Sequence, residues 1–181
     1  MGSRRVPVLA TIFVLTLTSM GYAQTSVTLT DTSQTTTLTA NVSEQARVTV
    51  PSGVTFNVAN VSSSTAASAA SVSVSNIVLT TATKQFKVSL QANAASFTPP
   101  VVGATTWGAT DVSWNAATWT NATGAVGTLS NSAYNAVATC TADASDCSST
   151  ALVFTLGAKS TIKRAGNHTL VVTWKFESIG S

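Results

Sequence analysis

From Val48 onward the chain alternates apolar and polar residues with a period of two, and that pattern fits a strand with one buried face rather than a helix. The clearest case is residues 168–176, where Leu170, Val172, Trp174 and Phe176 fall on one face and Thr169, Thr173 and Lys175 on the other. Phe86, Val88 and Leu90 alternate with Gln85, Lys87, Ser89 and Gln91, and Val54, Phe56 and Val58 follow the turn residues Pro51, Ser52 and Gly53. Val72 and Val74 give way to Ile77 and Leu79 in the opposite parity, which predicts a bulge near Asn76.

Further strands are expected over 26–30, 36–42, 47–50, 112–114, 133–140 and 151–156. No long stretch has a helical period, and the Ala/Ser-rich residues 62–71 read as a loop because their hydroxyls compete for backbone groups. Short strands at this spacing predict an all-β fold, an antiparallel immunoglobulin-like or jelly-roll-type β-sandwich of about nine or ten strands. A closed barrel buries the same kind of alternating face and is the competing architecture. Residues 97–127, with Pro99, Pro100, Trp107, Trp114 and Trp119, read as a long excursion between strands.

Residues 1–23 have the form of a secretory signal: Arg4 and Arg5, an apolar run over 6–17, and a small-residue cleavage site at Gly21, Tyr22 and Ala23. The apolar run is shorter than a membrane span, so the expected product is a single sandwich domain over 24–181 with no integral membrane segment after cleavage. Its expected location is secreted, at the extracellular side, cell surface or periplasm. Without Arg4 and Arg5, seven basic residues remain against six acidic ones, a balance of +1. That leaves no clustered basic footprint for nucleic acid. From residue 24 on, 22 Ser and 29 Thr make up 51 of 158 residues, a composition that favours strands without supplying titratable groups.

An exported chain with two cysteines is expected to oxidise them, so Cys140 and Cys147 predict a disulfide closing a turn between two strands. Asp143 and Asp146 within that loop read as solvated turn residues, and His168, the single histidine, as a strand-edge residue. One histidine and six carboxylates, with no placed acid and base, point away from an enzyme, and neither a cofactor nor a metal is expected. Trp107, Trp114 and Trp119, beside Asp111, Asn115 and Asn121, have the make-up of a polysaccharide surface if the rings are exposed, and of core plugs if they are not. Val27 and Leu29, then Leu38, Ala40 and Val42, form a weakly alternating N-terminal segment. It suits either the first strand of its own sandwich or strand addition to a neighbour's sheet edge.

At residues 152–156, Leu-Val-Phe-Thr-Leu, and 164–174, Arg-Ala-Gly-Asn-His-Thr-Leu-Val-Val-Thr-Trp, the chain resembles secreted bacterial β-sandwich subunits of the spore coat protein U and fimbrial types. The resemblance implies a non-enzymatic surface or matrix protein whose partners are itself or other surface subunits, acting by assembly or adhesion. The alternative is a small carbohydrate-binding module using the three tryptophans.

Overall fold

The computed structural model describes residue 33 and residues 35–180, so residues 1–23, expected to be a secretory signal, and the residues Val27 and Leu29 lie outside the described residues. Two units are distinguished, Met1–Ala40 and Asn41–Ser181. All the described strands belong to the second.

Eleven strands follow one another: β1 Gln45–Thr49, β2 Thr65–Ala66, β3 Ala70–Val78, β4 Gln85–Ala92, β5 Val112–Trp114, β6 Ala122–Gly124, β7 Gly127–Thr128, β8 Asn135–Cys140, β9 Cys147–Leu152, β10 Phe154–Leu156 and β11 Val172–Ile179. Every pairing between them is antiparallel, in sheets ordered β1-β3-β9, β2-β10-β5-β7 and β11-β4-β8-β6. The first two run into each other, β2 through residues 67–69 into β3 and β9 through Val153 into β10, and together form one layer. The third sheet is the other layer of an all-β sandwich.

The alternation in sequence sets the inward face. On β4, Phe86, Val88, Leu90 and Ala92 are buried, and on β3, Ala70, Val72 and Val74 are buried between exposed serines. Val88, Leu90, Val137, Leu152 and Ala138 are wholly inaccessible and belong to one continuous core. The parity change on β3 falls where expected: Asn76 takes φ 52°, Ile77 turns inward, and the β1–β3 register slips there, with Gln45 opposite Val78 but Arg47 opposite Ser75. Asparagine tolerates the left-handed region better than other residues with a Cβ, which suits it to a bulge.

Four expectations are corrected. Among the described residues, 35–44 pair with no strand, so the segment 36–42 is not a strand of the described sandwich. Residues 53–59 alternate exposed and half-buried as a strand would, yet none of residues 51–59 joins a sheet among the described residues. Residues 97–127 are not an excursion, because they contribute β5 to the interior of one sheet and β6 to the edge of another. Residues 62–71 are not all loop, since they hold β2 and the start of β3.

The disulfide is present, with both half-cystines wholly buried and their Cα atoms 5.9 Å apart. It does more than close a hairpin. β8 and β9 belong to different sheets, so the bond ties the two layers together where the chain crosses between them. The loop it closes is short, and the chain-entropy contribution of such a link is about 2–3 kcal/mol. Replacing both cysteines by alanine is therefore expected to lower unfolding stability by about that amount in a denaturant titration, with the strand content retained.

Candidate assembly surface

The three tryptophans on which a sugar platform would depend are core residues. Trp107, Trp114 and Trp119 are 4%, 2% and 9% exposed, so none presents a flat face to solvent. Trp107 donates its indole N–H to the Gly157 carbonyl at 2.9 Å, and Trp114 donates to the Ala125 carbonyl at 3.0 Å while its ring meets Phe154 edge-on. A buried indole is stable when its N–H finds such a partner. Two glycines make the space: a Cβ on Gly127 would run into the Trp114 ring, and one on Gly124 into the Ala117 carbonyl oxygen.

The polar neighbours expected beside those rings are structural as well. Asp111 accepts the Gly108 N–H at 2.8 Å, capping the 3-10 turn Ala109–Asp111, and pairs with Lys159 at 2.9 Å. Burial on its own would raise the Asp111 pKa. The Lys159 hydrogen bond, the Gly108 N–H and the Lys159 charge together outweigh it, and the carboxyl is held below its ordinary value. Asn115 spans the break between β9 and β10, donating to the Ala151 carbonyl and accepting from the Val153 N–H. Asn121 takes φ 52° at the crossing into β6 and donates to Asp146. His168 meets Trp107 edge-on and shares a 2.7 Å hydrogen bond with Thr106, its other ring nitrogen lying 3.2 Å from the Arg164 carbonyl oxygen. Among the described residues no group of three or more His, Cys, Asp or Glu could hold a metal ion, and no helix is long and apolar enough to cross a membrane.

What remains is the side of the sandwich away from the disulfide. There β1 and β11 are the outermost strands of their sheets, each paired on one side only. Between the layers lies a groove of about 380 Å³ lined by Ala46, Val48, Leu79, Phe86 and Phe176 among others. Phe86 and Phe176 stack across its floor at 6.1 Å. The inward residues of β11 are only partly covered: Trp174 and Phe176 are half-buried, and Val172 is 38% exposed. The last strand has the expected alternation, but it is an edge strand whose apolar face is not fully covered. Its outer face carries Lys175 and Glu177, and Glu177 pairs with both Lys175 and Lys87.

At the mouth of the groove, Glu44 fastens the start of β1 to the β3–β4 turn. It accepts hydrogen bonds from Lys84 Nζ at 2.8 Å, from the Thr80 hydroxyl and from the Thr80 N–H at 2.9 Å. The Lys84 hydrogen bond, then those from Thr80, lower its pKa from the ordinary 4.5 to about 2. Just upstream, Leu38 is 91% and Val42 72% exposed, and Ala40 is exposed between them.

Comparison of the chain with protein-family models, with curated proteins and with solved structures gives no match. Two predictions test the geometry. Gly127→Ala is expected to lower stability by about 1–3 kcal/mol through overpacking against Trp114, read by denaturant unfolding of the Trp fluorescence. Because the Glu44 pKa is depressed on folding, its contribution to stability is present above the unfolded value of 4.5 and is lost as pH falls through about 2. An NMR titration is expected to place the Glu44 carboxyl midpoint near the lower value, and Lys84→Met is expected to move it upward.

Proposed function

We propose that this chain is a secreted structural subunit of a bacterial surface or extracellular matrix, working by assembly through strand addition between copies rather than by catalysis. The observation that carries the reading is the unpaired N-terminal segment, whose Leu38 and Val42 are 91% and 72% exposed, on a domain with one side of its sandwich open. An extended segment with apolar residues on alternate positions gains main-chain hydrogen bonds and burial together when it joins a sheet edge. Either gain alone is small for so few residues.

The chemistry of the rest of the chain supports the same reading. A buried disulfide between Cys140 and Cys147 suits an oxidising compartment outside the cytosol. His168 is tied to Thr106 and the Arg164 carbonyl, and Asp111 is committed to Lys159 and Gly108, so these candidate acid–base groups serve packing and turn geometry. The resemblance to spore coat and fimbrial subunits read from residues 152–156 and 164–174 implies the same kind of role. Head-to-tail strand addition uses a different surface on each partner, and such contacts build open filaments unless the rotation closes a ring.

Light-scattering mass and negative-stain microscopy on the oxidised chain starting at residue 24 test the proposal. Regular filaments or a defined oligomer are expected, and removal of residues 24–42 is expected to return a folded monomer. A full-length chain that stays monomeric at every accessible concentration would refute assembly.

A further inference from the structure

We infer that residues 51–59 are the edge that accepts the incoming strand, and that its occupant is residues 36–42 of a second copy. The inference rests on the assembly reading above and identifies which surface performs it.

Residues 54–59 already have the form of a strand. Val54, Phe56 and Val58 are half-buried and pack on the core, while Thr55, Asn57 and Ala59 point outward, in strict alternation. What this run lacks is a partner: none of residues 51–59 takes part in a sheet pairing or a hydrogen bond among the described residues. Its side chains are thus in place before any ladder forms, and the backbone N–H and C=O groups wait on solvent. An edge of that kind is a template for another chain.

Charge separates this edge from the others. Native sheets discourage edge pairing with charged residues, and β1 carries Arg47 while β11 carries Lys175 and Glu177. Residues 48–83 contain no Asp, Glu, Lys or Arg at all. The short edges β2, β6 and β7, of two or three residues, offer few rungs. β9, the other end of its sheet, is uncharged as well, but residues 118–120 cover it, with Thr120 bridged to Ser148 and the Ser149 hydroxyl donating to the Thr118 carbonyl. The uncharged run over 51–59 is therefore the long unpaired stretch that neither charge nor a neighbouring segment guards.

The N-terminal segment matches it. Residues 32–43 are also free of charge, and residues 36–42 are likewise unpaired among the described residues and, as a strand, would put Leu38, Ala40 and Val42 on one face. Seven residues, 36–42, span about 23 Å as a strand at about 3.3 Å each, the length of the run 53–59. Both partners lack what the other supplies, a row of hydrogen-bonding groups and, for the donor, cover for its apolar face.

Lysines placed on the outward positions of the acceptor test this. Thr55→Lys with Asn57→Lys adds two guarding charges without touching the inward side chains. In the full chain from residue 24, the amount of oligomer at fixed concentration is expected to fall at least roughly tenfold, about 1.4 kcal/mol of association. Thr173→Lys, on the β11 edge, is expected to leave it unchanged. Near-ultraviolet circular dichroism of the buried tryptophans verifies that each variant is folded. As a second arm, a peptide of residues 36–42 is expected to inhibit assembly of the unaltered chain, and the same peptide with Leu38→Asp is not. Oligomers that survive the lysine pair, or that only Thr173→Lys disrupts, overturn the assignment of this edge while assembly stands. An unaltered chain that never associates overturns both.

Discussion

A β-strand is stable in a sandwich where its N–H and C=O groups have ladder partners and one of its faces is covered. In this chain the two requirements are met together in some segments and come apart in others. β4 is paired on both sides, by β11 and β8, and its inward residues Val88 and Leu90 are wholly buried. Residues 51–59 have half of that arrangement, with side chains against the core and no ladder. Residues 36–42 have neither, since they pair with none of the described residues and leave Leu38 and Val42 exposed.

The closed side shows how the fold compensates for having so few charges. Each crossing there is held by a specific contact between layers or between loops. Cys140 is bonded to Cys147, Asn121 donates to Asp146, and Thr120 bridges to Ser148. Trp107 reaches Gly157, and Lys159 reaches Asp111, which together lash residues 107–111 to the loop after β10. The tryptophans supply large buried area, and Gly124 and Gly127 supply the room for it. A chain rich in Thr, Ser, Ala and Val has small side chains through most of its core, so a few large rings carry much of the packing on that side.

How far the residues foretell this depends on the range of the interaction that decides each feature. Alternation is local, and it locates β4, β5, β8 and the reversal at Asn76 because parity alone sets which side chains turn inward. The cysteine pair is legible for the same reason, but not that it joins two sheets, since strands close in sequence need not share a ladder. The tryptophans are misleading when read beside their Asn and Asp neighbours. The burial of Trp107 depends on the Gly157 carbonyl, and that of Trp114 on the Ala125 carbonyl and the room left at Gly127, none of which is a sequence neighbour of the ring it serves. Residues 54–59 expose a further limit. Their pattern is that of a strand, and whether they become one depends on a partner edge that the same residues do not encode.

Amide hydrogen exchange, followed separately on the chain lacking residues 24–42 and on the assembled full chain, tests the central claim of an open edge awaiting a strand most directly. In the truncated monomer the amides over 51–59 are expected to exchange as fast as surface loops while those of β4 stay protected, and in the assembly the same amides are expected to become protected. Strong protection over 51–59 in the monomer, or no gain of protection there on assembly, would contradict it.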